Sequence, residues 1–230
     1  MQEFGITMDV DWATEMAIMD CAEQFREKNV KATFFATHKS DVLKELENDP
    51  LFEIGLHPNY YKEANFEKAI TDLKKIYPDA ISIRSHGLYS SANIQKLYVK
   101  HGLKYCSEVF MPKSDSIKPY WRFGEGSLVI IPYFWEDGNY FTYQKQENFD
   151  PKTDLHGNDL KIFNFHPVHV FANTNGHKHY EEIRKFYHDD ENLLKIRSKL
   201  GIRNYFQKLI GSEQKFKKIK DFGYEFGFSS

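Results

Sequence analysis

Cysteine is scarce in this chain. Its 230 residues include two, Cys21 and Cys106, and their separation matches no metal or redox spacing, which excludes a cysteine-built metal or redox centre. Cys21 falls in a helical pattern and Cys106 at the end of a short apolar run, so both read as buried thiols. Long hydrophobic runs are missing too. No apolar stretch approaches the ~20 residues that cross a bilayer, which excludes a transmembrane helix. Nor does one sign of charge dominate: a net charge of −2 excludes the strongly basic surface that nucleic-acid binding normally requires. The one basic run, 215–220, reads as a solvated helix face. There is no internal repeat, low-complexity tract or linker, so residues 1–230 read as one domain. The first strand pattern begins so close to the first residue that a signal peptide has no room, and a cytoplasmic location is expected.

What the chain has is a regular alternation of patterns. Hydrophobic residues make up 41% and charged residues 28%, a soluble balance with enough chain for a sizeable core. Short apolar runs at 4–8, 32–36, 52–56, 81–83 and 103–106 read as strands. The stretches 13–28, 40–48, 65–76 and 91–100 between them carry helical spacing, and Gly102 stops the last of these. Repeated strand–helix units argue for a parallel sheet. Runs at 128–131 and 160–165 supply a sixth and a seventh strand. The expectation is a single-domain α/β fold, a distorted (β/α) barrel with about seven parallel strands. The segment 107–126 reads as loop, 137–158 as a polar lid or substrate loop, and 173–179 as a polar connection. Two helical stretches, 180–200 and 202–210, close the chain.

Polar residues sit just past the carboxyl ends of these runs: Asp9 and Asp11, His57, Arg84 and His86, and His166. In a parallel sheet those ends gather on one face, where ligand and catalytic sites form. Each residue also has an ordinary structural use. Asp9 could cap the following helix, His57 could serve a turn, His86 a hydrogen-bonded structural position, and Arg84 a plain ion pair. His166 and His169 are three apart after the last strand, and His166, directly after the apolar run, is preferred as the reactive one. Trp135 could be core. Of 14 Tyr and 20 Phe, most are expected to fill the core.

Taken in order, several segments resemble the polysaccharide deacetylase family, the NodB-homology carbohydrate esterases. Met8-Asp9-Val10-Asp11-Trp12 is similar to the family's acidic first motif, and Ala32-Thr33-Phe34-Phe35 to its second strand. Phe52-Glu53-Ile54-Gly55-Leu56-His57 resembles the segment that delivers a metal-binding histidine. Arg84-Ser85-His86-Gly87-Leu88-Tyr89 stands at the arginine motif, Phe134-Trp135-Glu136-Asp137 at the acidic-tryptophan motif, and Asn164-Phe165-His166-Pro167 at the last histidine motif. The details are most similar to a WbmS-like branch associated with bacterial surface polysaccharides.

The resemblance implies a NodB-like barrel and a metal-dependent hydrolase that removes an N-acetyl group from an amino sugar or glycan precursor. It implies one divalent ion, Zn2+ first, held by Asp11, His57 and a third ligand. The family's second histidine falls four residues after the first, and here that position is Tyr61. His86 stands where the family generally has proline and offers a replacement. Asp9 then acts as base with Arg84 holding it ionised. His166 protonates the leaving amine, Asp137 or Glu136 orients it, Trp135 excludes water beside it, and Tyr89 meets the sugar. Val10 separates two aspartates that the family usually keeps adjacent, so Asp9 and Asp11 could exchange roles or both bind metal. Two other functions stay open at this level: an inactive sugar-binding or scaffolding relative, and a hydrolase of another C–N amide such as a formamide. The sugar, its carrier and the oligomeric state are not encoded legibly.

Overall fold

The computed structural model describes residues 2–112, 114–143, 149–157 and 159–227. The first half alternates strand and helix: β1 (Glu3–Asp9), α1 (Glu15–Lys28), β2 (Ala32–Ala36), α2 (Asp41–Leu46), β3 (Phe52–Leu56), α3 (Phe66–Ile76), β4 (Ser82–Ile83), α4 (Ala92–Lys100) and β5 (Tyr105–Cys106). Each helix begins where a short polar side chain can take an orphan backbone N–H. Thr14, Ser40, Asn65 and Ser91 accept from the amides of Ala17, Leu43, Lys68 and Ile94. Thr14, and not Asp9, is therefore the cap of α1. Asn29 ends that helix at φ 52°, a left-handed conformation that asparagine tolerates.

The second half is less regular. It contains β6 (Tyr120–Trp121), β7 (Val129–Ile130), β8 (Trp135–Glu136), α5 (Asp137–Tyr143), β9 (Leu160–Phe165), α6 (Pro167–Phe171), α7 (His177–Ile183), α8 (Asp190–Lys195), α9 (Ile202–Ile210), β10 (Phe216–Lys217) and α10 (Ile219–Phe226). The strands form one sheet in the order β6-β7-β5-β4-β3-β2-β1-β9-β8, and β10 pairs with the start of β1. The described strands number ten, against the expected seven or so, and β6 runs antiparallel to β7. The sheet curls as a half-barrel whose path is open at β6 and β8. Backbone hydrogen bonds from Met111 N–H to Tyr133 O and from Phe134 N–H to Ile162 O carry the connecting segment across the open side.

Three further sequence expectations change, beyond the strand count and the antiparallel β6, which falls in the segment 107–126 read as loop. The run 180–200 is broken, because the Asp189 carboxylate caps a new helix at Asn192 N–H. The basic run 215–220 is not one solvated helix face. Phe216 and Lys217 form β10, Phe216 is buried, and α10 starts only at Ile219. The polar segment 137–158 opens with α5 instead of loop; residues 144–148 and 158 of it lie outside the described residues. Strands β1, β2, β3 and β9 are buried almost throughout, as strands covered on both faces must be, and this explains their near-continuous apolar runs.

Candidate active site

A cavity of about 270 Å³ opens at the carboxyl ends of these strands. Its wall includes Asp9, Asp11, His57, His86, His166 and Trp12. Asp9 is the last residue of β1 and Asp11 lies in the turn beyond it. Both stay directed into the site because Val10 N–H still bonds Phe35 O before the chain turns through Ala13 N–H to Val10 O. His57 and Arg84 extend β3 and β4 by parallel-type bonds, His57 N–H to Ala36 O and Arg84 N–H to Leu56 O.

Asp11 is ringed by imidazoles. Its Oδ1 lies 2.8 Å from His86 Nδ1 and 3.3 Å from His57 Nε2, and its Oδ2 lies 3.5 Å from His166 Nε2. Burial alone would raise the Asp11 pKa, but His57, His166 and His86 outweigh it and hold the carboxyl well below the usual range. His57 Nδ1 sits 2.8 Å from the Arg84 carbonyl. A carbonyl only accepts, so Nδ1 carries the hydrogen, and Nε2 is the atom left over. That Nε2 is buried and makes no well-aligned hydrogen bond among the described residues; its nearest charged neighbour is the Asp11 carboxylate at 3.3 Å. Asp11, His57 and His86 each offer one ligand atom, all within 4.8 Å of one another. Two imidazole nitrogens and a carboxylate oxygen suit a divalent ion such as zinc, and the orphaned Nε2 is the atom such an ion would satisfy.

Asp9 has a different environment. It accepts from Arg84 Nη1 at 3.0 Å and from Asn164 Nδ2 at 2.8 Å. Burial pushes its pKa up, but Arg84, His57 and His166 together outweigh that, with the guanidinium foremost among them, and keep Asp9 below the ordinary carboxylate value. Arg84 is itself fully buried. It donates to Ser107 O at 2.7 Å, Ser107 Oγ at 2.9 Å and Thr7 Oγ1 at 2.9 Å, and also to Asn164 Oδ1. The Phe35 and Tyr133 rings lie 4.7 and 4.4 Å from its guanidinium carbon.

His166 occupies the opposite wall as the residue before α6. Both oxygens of buried Asp137 hold it: Oδ1 is 2.8 Å from His166 Nδ1, and Oδ2 accepts its backbone N–H at 2.7 Å. Burial disfavours the charged ring, yet Asp137 and Asp11 overcome this and raise its pKa well above the ordinary histidine value. His169 also lines the cavity, but its Nδ1 pairs with Thr174 Oγ1 and burial depresses its pKa to about 4. Glu136 lines the wall and accepts from Tyr133 Oη at 2.9 Å.

Two residues are placed elsewhere. Trp135 is buried and stacks on Tyr205 at 4.5 Å, outside the cavity wall. Successive strand residues face opposite ways, so within β8 it is Glu136 that meets the cavity. Tyr89 is exposed and packs with Tyr60, Tyr61 and Phe66 beside the cavity, not in its wall. Tyr61 lies edge-on to His86 at 6.1 Å. Trp12 does line the site, with Tyr133, Phe141 and Tyr180, and it stacks 5.0 Å from Tyr187 and lies edge-on to His86 at 5.5 Å. Sequence reasoning also passed over Thr7, Ser107 and Asn164, which complete the Arg84–Asp9 network. The available signal was a polar residue inside an otherwise apolar buried strand, as with Thr7 in β1 and Asn164 in β9.

A half-barrel with carboxylates and imidazoles converging at its strand ends defines a hydrolase-type α/β site, and comparison with known proteins gives the family. Residues 6–184 match the model of the WbmS-like polysaccharide deacetylases, and the chain belongs to that family. A solved Bordetella bronchiseptica structure, assigned as a polysaccharide deacetylase involved in O-antigen biosynthesis, is similar at 26% identity. It covers 90% of this chain and 89% of its own, with a TM-score of 0.83. A structure assigned as a Mycobacterium smegmatis polysaccharide deacetylase shares the fold at 15% identity and TM-score 0.58, over 97% of this chain and 89% of its own. So does a Thermococcus litoralis 4-alpha-glucanotransferase, at 15% identity and TM-score 0.56, over 98% of this chain but 40% of its own. No protein of curated function matched the sequence. Among the described residues no helix is long and apolar enough to cross a membrane.

Proposed function

We propose that the chain, acting as one domain, is a metal-dependent N-deacetylase of an amino sugar or a glycan precursor in bacterial surface-polysaccharide synthesis. The proposal places the reaction in the cytoplasm, on a sugar still attached to its carrier. Its main support is the convergence of Asp11, His57 and His86 around one point, with Asp9 and His166 beside it in the same cavity. The involvement of the similar Bordetella protein in O-antigen biosynthesis supports the pathway class.

In this mechanism Asp11, His57 and His86 would hold the ion, most favourably Zn2+. When bound, it supplies Lewis acidity to the amide carbonyl and acidity to a water molecule. Asp9, kept ionised by Arg84, takes the proton of the attacking water. His166 delivers a proton from Nε2 to the departing amine, and Asp137 at Nδ1 keeps that ring charged and oriented. Trp12 shields the reacting centre from bulk water on one side, and the exposed Tyr89 lies where a longer glycan would pass.

The direct test is acetate release from a panel of N-acetylated sugars and carrier-linked precursors. Turnover that a chelator abolishes and zinc restores is expected; a metal-loaded protein that releases acetate from none of them would refute the proposal. Parallel formyl substrates distinguish the acetyl group from other amides.

Asp137→Asn tests the acid. The native His166 pKa is raised, so its protonated form is present at neutral pH and disappears only as pH rises through that value. Removing the Asp137 charge lowers the pKa, and the alkaline limb of the rate profile should move to lower pH. Each unit of fall below the working pH costs about tenfold in protonated acid. An alkaline limb that stays in place would contradict this role.

A further inference from the structure

We propose that Glu108, with Tyr98 and Tyr60, is a positioning device that sets the spacing of His57 and His86 and so the metal affinity of the site. The inference rests on the metal-site reading above and concerns residues that belong neither to the ligand set nor to the cavity lining; Glu108 meets that lining through Ser85.

His86 is an unusual carrier of a ligand. It follows β4, which has two residues, and opens a single helical turn, His86–Leu88, instead of lying on a strand. Gly87 and Leu88 both have positive φ, 64° and 55°. Leucine does not adopt that conformation unless its surroundings impose it. The imposing contacts can be traced. Ser85 N–H donates to Glu108 Oε1 at 3.0 Å, Ser85 Oγ donates to Tyr89 O at 3.0 Å, and His86 N–H donates to Pro58 O at 3.0 Å.

Glu108 lies two residues beyond β5 and is buried. No lysine, arginine or histidine among the described residues forms an ion pair with it. The same Oε1 accepts from Tyr98 Oη at 2.6 Å, and Tyr98 Oη accepts from Tyr60 Oη at 3.3 Å. Tyr60 is buried three residues after His57, and Ser85 comes one residue before His86. The chain of bonds therefore links the loop carrying one imidazole to the loop carrying the other. A buried carboxylate without a cation is costly. Here it makes short, directional bonds to one amide and one phenol, and it ties to the end of β5 a segment whose own bonds are Ser85 Oγ to Tyr89 O and Leu88 N–H to Ser85 O.

The test compares native protein, Glu108→Gln and Tyr98→Phe. Zinc Kd is measured by competition with a chromophoric chelator, together with the visible spectrum of the cobalt(II)-loaded protein and the melting temperature without metal. Both variants should weaken zinc binding by about 10- to 100-fold, the usual cost of losing a group that orients a ligand, and should change the cobalt band intensities. Tyr98→Phe keeps the ring and removes only the hydroxyl, so it decides the matter if Glu108→Gln does not fold. Variants that melt earlier but bind zinc within twofold of native, with unchanged cobalt spectra, would make the network merely structural and overturn the proposal. Native protein that binds neither zinc nor cobalt would instead refute the metal-site reading, and the positioning role would fall with it.

Discussion

Asp9→Asn should lower kcat by about 10²–10⁴-fold, the usual worth of a positioned general base, while zinc content stays unchanged. The expectation follows from the separate surroundings of the two aspartates. Asp11 is enclosed by His57, His86 and His166, whereas Asp9 is bound by Arg84 and Asn164. The Asp9 pocket is built for a carboxylate. Asn164 Oδ1 already accepts from Thr7 and Arg84, so its Nδ2 must face position 9 as a donor. An asparagine there can present its oxygen to Arg84 or to Asn164 but meets the other with N–H groups, at a stability cost of about 1–3 kcal/mol. Steady-state acetate release and metal analysis on the folded variant are the measurements. Loss of zinc would give Asp9 the ligand role, and a fall in kcat below tenfold would remove it as the base.

Arg84→Met should cost about 3–5 kcal/mol of stability at neutral pH, the usual penalty for stranding a buried charge. Arg84 is among the largest fully buried side chains in the molecule, and its donors serve Thr7, Asp9, Ser107 and Asn164. Methionine refills the space between Phe35 and Tyr133 but leaves the Asp9 carboxylate without its cation. The sign of the pH dependence follows from the lowered native pKa of Asp9. Stability from a depressed carboxyl is present above the unfolded value, 3.8, and is lost as pH falls through the folded one. The gap between native and variant should therefore be widest at neutral pH and narrow at acid pH, as the pH falls below 3.8 and through the lowered native value of Asp9. Urea unfolding at neutral and at acid pH measures it. A gap under about 1 kcal/mol at neutral pH would show that the pair does not carry this charge.

Much of the first half of the fold was legible because β1, β2 and β3 are buried on both faces and so are written as apolar runs, with capping residues marking the helices between them. The second half was harder for a physical reason. Strands β6, β8 and β10 have two residues each, too few to display a period. β10 was also hidden in a basic run whose lysines find partners next to the strand: Lys217 bonds Glu3 at 2.6 Å, and Lys218, buried just beyond β10, reaches Pro50 O with its Nζ at 2.8 Å. The site followed from one rule, that polar groups past parallel strands converge, and Asp9, Asp11, His57, Arg84, His86 and His166 do share one cavity or its immediate support. The rule says nothing of which way a residue faces within a two-residue strand, which is why Trp135 was assigned to the site and Glu136 only named as an alternative partner. It is equally silent on Thr7 and Asn164, whose roles depend on Arg84 arriving from β4, three strands from β1 and four from β9.

The most direct measurement is metal content per chain after zinc loading and gel filtration, for native protein and for His86→Ala. The Asp11–His57–His86 site predicts a single retained zinc ion in the native chain and its loss in the variant, because two remaining protein ligands no longer make a tight site. Native protein that retains no metal, or a His86→Ala variant that holds zinc as tightly as native, would contradict it.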